Sequence, residues 1–388
     1  MSGPTWRRRA LQPMVALAVA ATLTLAGCAF GGPDDSESGR APNLPTPNTP
    51  SAAPSGSSDD DNVGVQVLVK NLDVPWGLAF LPDGNALVTE RTTMRILQIS
   101  PGGRSTPVQT ITEAYASGEG GLLGIAVSPK YATDKTVYIY YSTRTDNRIA
   151  SLVLGQQPKP ILTGIPVASN HDGGRLAFGP DGYLYAGTGD AKVTARAQDL
   201  KSLGGKILRM TTAGKPAPGN PFPNSLVWSY GHRNVQGLAW DSQKRLWATE
   251  FGQNKYDEVN LITKGGNYGW PTVEGTGTDK HFINPQVTWA TADSSPSGDV
   301  VVGNTLIVAA LKGERLWVMA LDPKTGKVSG EPRALLQSRY GRLRTVVAAP
   351  DGSVWVTTSN RDGRGDPTVD DDRILRIIPP GSSGVDVL

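Results

Sequence analysis

The chain has 388 residues, with 38 basic and 35 acidic side chains, 46 glycines, 30 prolines and one cysteine. A lone cysteine excludes a disulfide framework and any zinc or iron–sulfur cage built on thiolates, and a net charge of +3 on so long a chain argues against nucleic acid as the main partner. The 38% hydrophobic content supplies a sizeable core, and the glycines, prolines and nine tryptophans together lean towards an all-β chain full of turns.

Residues 1–28 read as an export signal: Arg7, Arg8 and Arg9 precede an apolar run from Ala10 to Leu25 that ends in Leu25-Ala26-Gly27-Cys28. The run is too short to span a bilayer, which takes about 20 residues. Small residues before a cysteine resemble a bacterial lipobox, in which cleavage leaves Cys28 as a lipidated N-terminus outside the cytoplasmic membrane. A twin-arginine export route through Arg8-Arg9 is the weaker match, because Ala10-Leu11 follows. Residues 29–62 hold almost nothing that can enter a core and read as a disordered tether. Charge separates along these segments: the signal carries +3, the tether −5, and residues 63–388 carry +5.

Within 63–388 one pattern returns, an apolar strand, a turn, and a second strand rich in aromatic and β-branched residues. Copies begin at Gly77-Leu78-Ala79-Phe80, Gly124-Ile125-Ala126-Val127, Arg175-Leu176-Ala177-Phe178, Gly237-Leu238-Ala239-Trp240, a degenerate Val300-Val301-Val302, and Thr345-Val346-Val347-Ala348. Three are followed by Pro-Asp-Gly, in which proline presets φ, aspartate bonds nearby backbone and glycine takes the left-handed position. Six units of roughly 54 residues predict a six-bladed β-propeller with a ligand funnel on one face. Trp76, Trp240, Trp247, Trp317 and Trp355 fall in strand-like runs and read as packing between blades.

Of three histidines, His171 stands in Asn170-His171-Asp172-Gly173-Gly174, just before a blade strand, and Asp190 ends the same hairpin. A hairpin brings its ends together, so Asp190 can reach the imidazole and leave the other ring nitrogen as a base. A polar loop histidine is the competing reading. Tyr230-Gly231-His232-Arg233-Asn234-Val235-Gln236 places a cation and two amides before another blade strand, and Gln198 precedes Gly204-Gly205. In Gly341-Arg342-Leu343-Arg344 the alternation puts two guanidinium groups on one side of an extended strand.

These segments, with Val74-Pro75-Trp76-Gly77, Gly120-Gly121-Leu122-Leu123-Gly124 and Gly266-Asn267-Tyr268-Gly269-Trp270-Pro271, resemble the soluble PQQ-dependent aldose sugar dehydrogenases of the glucose/sorbosone dehydrogenase family. The resemblance covers nearly all of 63–388 and implies a six-bladed propeller that oxidises the anomeric carbon of an aldose to the lactone. It implies His171 as the base, Asp190 as its orienting carboxylate, and Arg233 beside the quinone oxygens. Asn170, Gln198, Asn234 and Gln236 would be site or cofactor groups, with Lys312, Arg342 and Arg344 clamping the three PQQ carboxylates. A Ca2+ ion would bridge PQQ to backbone carbonyls of Gly252 and Gln253, and electrons would pass to a quinone or another acceptor.

Two departures from the pattern stand out. Gln253 replaces a proline, which leaves the calcium loop less rigid, and Glu119 stands where glutamine is common, so that a carboxylate beside an anionic cofactor needs a proton or an arginine partner. They motivate a second reading, a non-catalytic propeller binding a cell-surface glycan or a protein. A calcium-dependent hydrolase or lactonase is a third. The acids Asp362, Asp366, Asp370, Asp371 and Asp372 read as a solvated turn, and Asp257-Glu258 as the better candidate for a second, structural calcium.

Overall fold

The computed structural model describes residues 64–378 and, of the remainder, only Met1. The export signal expected over 1–28, with Cys28, and the tether over 29–62 lie outside the described residues.

Twenty-four strands form six four-stranded antiparallel sheets. Blades one to five are each continuous in sequence: β2–β5 (within 75–110), β6–β9 (122–165), β10–β13 (176–230), β14–β17 (235–290) and β18–β21 (296–335). Blade six combines β22–β24 (343–378) with β1 (Gly64–Val69), which pairs with β24 from Gly64 opposite Ile378 to Val69 opposite Ile374. The fold is a six-bladed β-propeller. Each of the six sequence copies lies on the first strand of its blade, the degenerate one on β18 (Pro296–Val302) included. Helix is confined to Tyr131–Asp134 and one 3-10 turn among the described residues.

The Pro-Asp-Gly turns work as their residues dictate. Asp83 accepts the N–H of Asn85 at 3.0 Å, Asp181 that of Tyr183 at 3.2 Å and Asp351 that of Ser353 at 2.9 Å. The intervening Gly84, Gly182 and Gly352 have φ of +86, +76 and +82°, a region open to glycine without steric cost.

Tryptophans fill the seams. Trp355 of blade six packs with Leu78 and Val88 of blade one, and its ring meets Phe80 edge-on at 4.9 Å. Trp247 of blade four packs with Leu306 and Val308 of blade five. Trp76 differs in also lying under two cations, Arg175 at 4.5 Å and Arg344 at 5.8 Å from its ring.

Ring closure thus rests on a strand more than 300 residues from its partner. Deleting residues 1–69 exposes the β24 edge and removes the buried Val69 and half-buried Val65 and Val67. At about 1.5 kcal/mol per valine this costs roughly 4–5 kcal/mol, a fall in Tm on the order of 10 °C. Calorimetry of the truncated chain checks this; an unchanged Tm contradicts it.

Candidate active site

The site begins with a strained residue. His171 sits at φ +64°, unusual for a side chain with a Cβ. Its N–H donates to Glu119 Oε2 at 3.0 Å, and its carbonyl accepts the Ala191 N–H at 3.2 Å. A Cβ on Gly189 would stand 1.9 Å from that carbonyl, so only glycine permits this approach. The imidazole is thereby delivered to Asp190, whose Oδ1 lies 2.7 Å from Nδ1. Oδ1 also accepts the Lys192 N–H at 2.8 Å, and Oδ2 accepts Trp270 Nε1–H at 2.8 Å. Burial pushes the Asp190 carboxyl up, but the bond and charge of His171, with the Trp270 and Lys192 donors, outweigh it and hold the group below its ordinary range. An ionised Asp190 makes Nδ1 the donor, and in the neutral imidazole that tautomer leaves Nε2 with the lone pair. Nε2 has no hydrogen-bond partner among the described residues, and the side chain is 9% exposed.

Arg233 stands at the entry to the neighbouring fourth blade, just before β14 (Val235–Trp240). Its Nε and Nη2 donate to Gln253 Oε1 at 3.0 and 2.6 Å, Nη1 donates to the Phe251 carbonyl at 3.2 Å, and the guanidinium lies 5.6 Å from the Trp270 ring. The neighbouring His232 is structural: fully buried, it is bonded through Nδ1 to Glu250 and through Nε2 to Ser229, each at 2.8 Å, and stacks on Tyr268.

The loop after Glu250 is not loosened by Gln253. Glu274 Oε1 accepts the backbone N–H groups of Gln253, Asn254, Lys255 and Tyr256 at 2.7–3.1 Å. In a trans peptide N–H and C=O point in opposite directions, so the carbonyls of Gly252 and Gln253 both turn away from Glu274. The expectation of a less rigid loop is corrected: a carboxylate does the work of the proline.

Arg342 and Arg344, flanking the start of β22 (Leu343–Ala348), converge on Asp362 Oδ2 at 3.0 and 3.3 Å. The Asp362 side chain is 2% exposed, and Asp371 and Asp372 are buried, so the reading of a solvated acidic turn fails for these three. The carbonyl of Asp362 also accepts Arg91 Nη2 at 3.4 Å, and Arg91 Nε is buried without a partner among the described residues. Glu119 Oε1 accepts Arg364 Nη1 at 2.7 Å. Burial raises the Glu119 carboxyl, but the Arg364 charge and bond and the His171 N–H bring it below the ordinary value, so the carboxylate is ionised and paired. Four guanidinium groups (Arg91, Arg342, Arg344, Arg364) therefore face two carboxylates in one cluster. Burial, helped by the neighbouring Arg91 and Arg342 charges and opposed by Asp362 and Glu119, pushes Arg344 down to about 9.

The remaining expected residues divide. Asn234 Oδ1 accepts the Gly173 N–H at 2.9 Å, while its buried Nδ2 has no partner among the described residues. Gln236 Oε1 accepts Ser297 Oγ at 2.9 Å and Arg344 Nη1 at 3.3 Å. Gln198 is consumed instead in a reciprocal amide pair with Asn267, at 2.9 and 2.8 Å, and a bond to the Trp270 carbonyl. Among the described residues the Asn170 side chain bonds only its neighbour Ser169, whose hydroxyl donates to it at 3.2 Å. Lys312 is exposed in the turn after β19 (Thr305–Ala310), without a hydrogen bond or ion pair among the described residues. The structural calcium expected at Asp257-Glu258 is contradicted, because successive strand residues point to opposite faces. Asp257 accepts the N–H groups of Gly252 and Ser295, whereas Glu258 accepts those of Gly275 and the Asn260 amide. Among the described residues, no group of three or more His, Cys, Asp or Glu side chains is placed to hold a metal.

The sequence family described as Glucose / Sorbosone dehydrogenase matches residues 72–375. The PQQ-bound form of aldose sugar dehydrogenase from Streptomyces coelicolor superposes with a TM-score of 0.78 at 49% identity, over 81% of this chain and 98% of that one. Aldose sugar dehydrogenase YliI of Escherichia coli is 31% identical over 347 residues, 78% of this chain and 91% of that protein. Quinoprotein glucose dehydrogenase B of Acinetobacter calcoaceticus is 27% identical over 450 residues, 87% of this chain and 93% of that protein.

Asp190, Asp362 and Glu119 all hold lowered carboxyl values. The stability they contribute is present above the ordinary carboxylate range near pH 4 and is lost as pH falls through their own lower values. Asp362→Asn leaves two buried guanidinium groups without their counter-ion and costs about 3–5 kcal/mol at pH 7. Denaturant unfolding from pH 7 to 2 should show that loss at neutrality and a shallower acid slope. A variant with the parent's stability contradicts the buried ion triad.

Proposed function

Since the chain belongs to the glucose/sorbosone dehydrogenase family, we propose that it oxidises the anomeric carbon of an aldose to the lactone as a PQQ-dependent quinoprotein. The observation that carries the reading is the meeting of two features: a carboxylate-oriented His171 with an open Nε2, and a buried excess of guanidinium groups linked to it through Glu119.

The residues present fit PQQ. Three carboxylates answer the surplus of buried cations, and Arg91 Nε and Asn234 Nδ2 are buried donors that lack acceptors among the described residues. Arg91, Arg342 and Arg344, with the free Lys312, would hold the carboxylates, and Arg233 and Asn234 the quinone oxygens. Bound PQQ supplies the two-electron acceptor for the hydride leaving C1 of the sugar. His171 Nε2 takes the proton of the anomeric hydroxyl, and Asp190 stabilises the imidazolium that results. Arg233 is fixed before substrate arrives by Gln253 and the Phe251 carbonyl, so it opposes developing negative charge without reorganising. The outward carbonyls of Gly252 and Gln253 suit Ca2+, an oxygen-seeking ion.

We further propose that the enzyme works outside the cytoplasmic membrane, tethered by lipid on Cys28, and passes electrons to a quinone or another acceptor. The basic-then-apolar N-terminus ending at Cys28 supports this. The binding-module alternative loses its motive, because Glu119 is paired with Arg364 and Gln253 is built into the Arg233 site.

Residues 29–388, reconstituted with PQQ and Ca2+, should reduce an artificial dye in the presence of an aldose and release the lactone. His171→Gln should lower kcat by a factor on the order of 10²–10⁴, with PQQ affinity retained. Absence of both PQQ binding and turnover in the parent protein contradicts the proposal.

A further inference from the structure

The base has a carboxylate partner, and that carboxylate has a second side-chain partner of its own. Asp190 is fully buried. His171 Nδ1 and the Lys192 N–H both bind Oδ1, so neither fixes the plane of the carboxylate or satisfies Oδ2. Trp270 Nε1–H does both, at 2.8 Å. Indole is a donor only, so this contact favours the anion of Asp190 and opposes its protonation.

Trp270 is in turn held along its backbone. Its N–H donates to the Gly231 carbonyl at 2.9 Å, and its carbonyl accepts Gln198 Nε2 at 2.7 Å. The reciprocal Gln198–Asn267 amide pair closes the same loop, and the ring is 5.6 Å from the Arg233 guanidinium. One side chain therefore touches the orienting carboxylate and the cation assigned to the quinone oxygens, and the amide Gln198, expected in the site, serves to hold it there.

We propose that Trp270 is a positioning residue for the acid–base pair: its indole N–H locks Asp190 as an anion with Oδ1 turned to His171, and so sets the pH range over which His171 accepts a proton. The inference rests on His171 as the base. Losing the donor leaves a buried carboxylate oxygen unsatisfied and its charge more concentrated. The imidazolium of His171 is then better stabilised, and the free base appears only at higher pH.

The test uses Trp270→Phe, together with replacement of Trp270 by its benzothiophene analogue, which deletes the N–H and keeps the ring packing. In the reconstituted enzyme the acid limb of kcat/KM should move up by roughly 0.5 to 1 pH unit, with the KM for the aldose little changed. Independently of turnover, protein labelled at histidine Cε1 shows three histidine resonances, which His171→Gln assigns. The His171 resonance should titrate at higher pH in both variants. In an Asp190→Asn background the Trp270 change should shift neither readout further. Lowered Tm or weakened PQQ retention with the acid limb and the His171 titration at parent values would overturn the proposal and leave Trp270 a packing residue. Failure of the sugar dehydrogenase reading is distinguishable, because the parent itself would then show no turnover while the histidine titration still reports on Trp270.

Discussion

Six innermost strands have to share one axis, and the backbone of each must come into contact with the next. A Cβ on Gly77 would meet the Leu123 carbonyl at 2.7 Å, one on Gly124 the Gly174 carbonyl at 2.1 Å, one on Gly237 the Ser297 carbonyl at 2.6 Å, and one on Gly298 the Thr345 Cα at 2.9 Å. Each pair joins adjacent blades, so glycine at these positions sets the ring's diameter. The site is built on that crowding. Arg175 of the third blade stacks on Trp76 of the first and bonds Thr345 Oγ1 of the sixth at 3.1 Å, while Arg344 of the sixth reaches Gln236 of the fourth. The clamp exists only once the ring has closed, which makes folding and ligand chemistry one requirement.

The second theme is charge held out of balance. Burying several guanidinium groups near one another is costly, and Asp362 and Glu119 offset only part of it. Such a pocket gives up stability for affinity towards a polyanion. Arg364 explains how a carboxylate is tolerated at position 119: one oxygen holds the backbone of His171 and the other holds Arg364, so Glu119 ties the base to the cationic cluster.

The architecture was legible because the repeat carries its own turn chemistry; Pro-Asp-Gly dictates the same hairpin three times, and even the degenerate Val300-Val301-Val302 copy keeps its apolar strand. His171 and Asp190 were legible because a hairpin joins them locally. Contacts made by distant segments left no such trace. Arg91 and Arg364 stand beside other charges in sequence, and nothing local marks them as neighbours of Asp362 and Glu119. Asp362, read with the other acids as solvated, is buried because two arginines at the start of β22 need a counter-ion. Glu274 lies 21 residues beyond the loop residue Gln253 whose N–H it binds, with no motif to announce it. The Asp257-Glu258 error had a local remedy, since strand alternation already forbids one ion between them.

The central claim is that His171, oriented by Asp190, removes the proton while hydride leaves the sugar's anomeric carbon. Stopped-flow absorbance of the PQQ-loaded protein mixed with an aldose carrying deuterium at C1 tests it most directly. The account predicts cofactor reduction in one turnover with a clear primary isotope effect, and reduction slowed by orders of magnitude in His171→Gln at equal PQQ occupancy. Equal reduction rates in the parent and His171→Gln would contradict it.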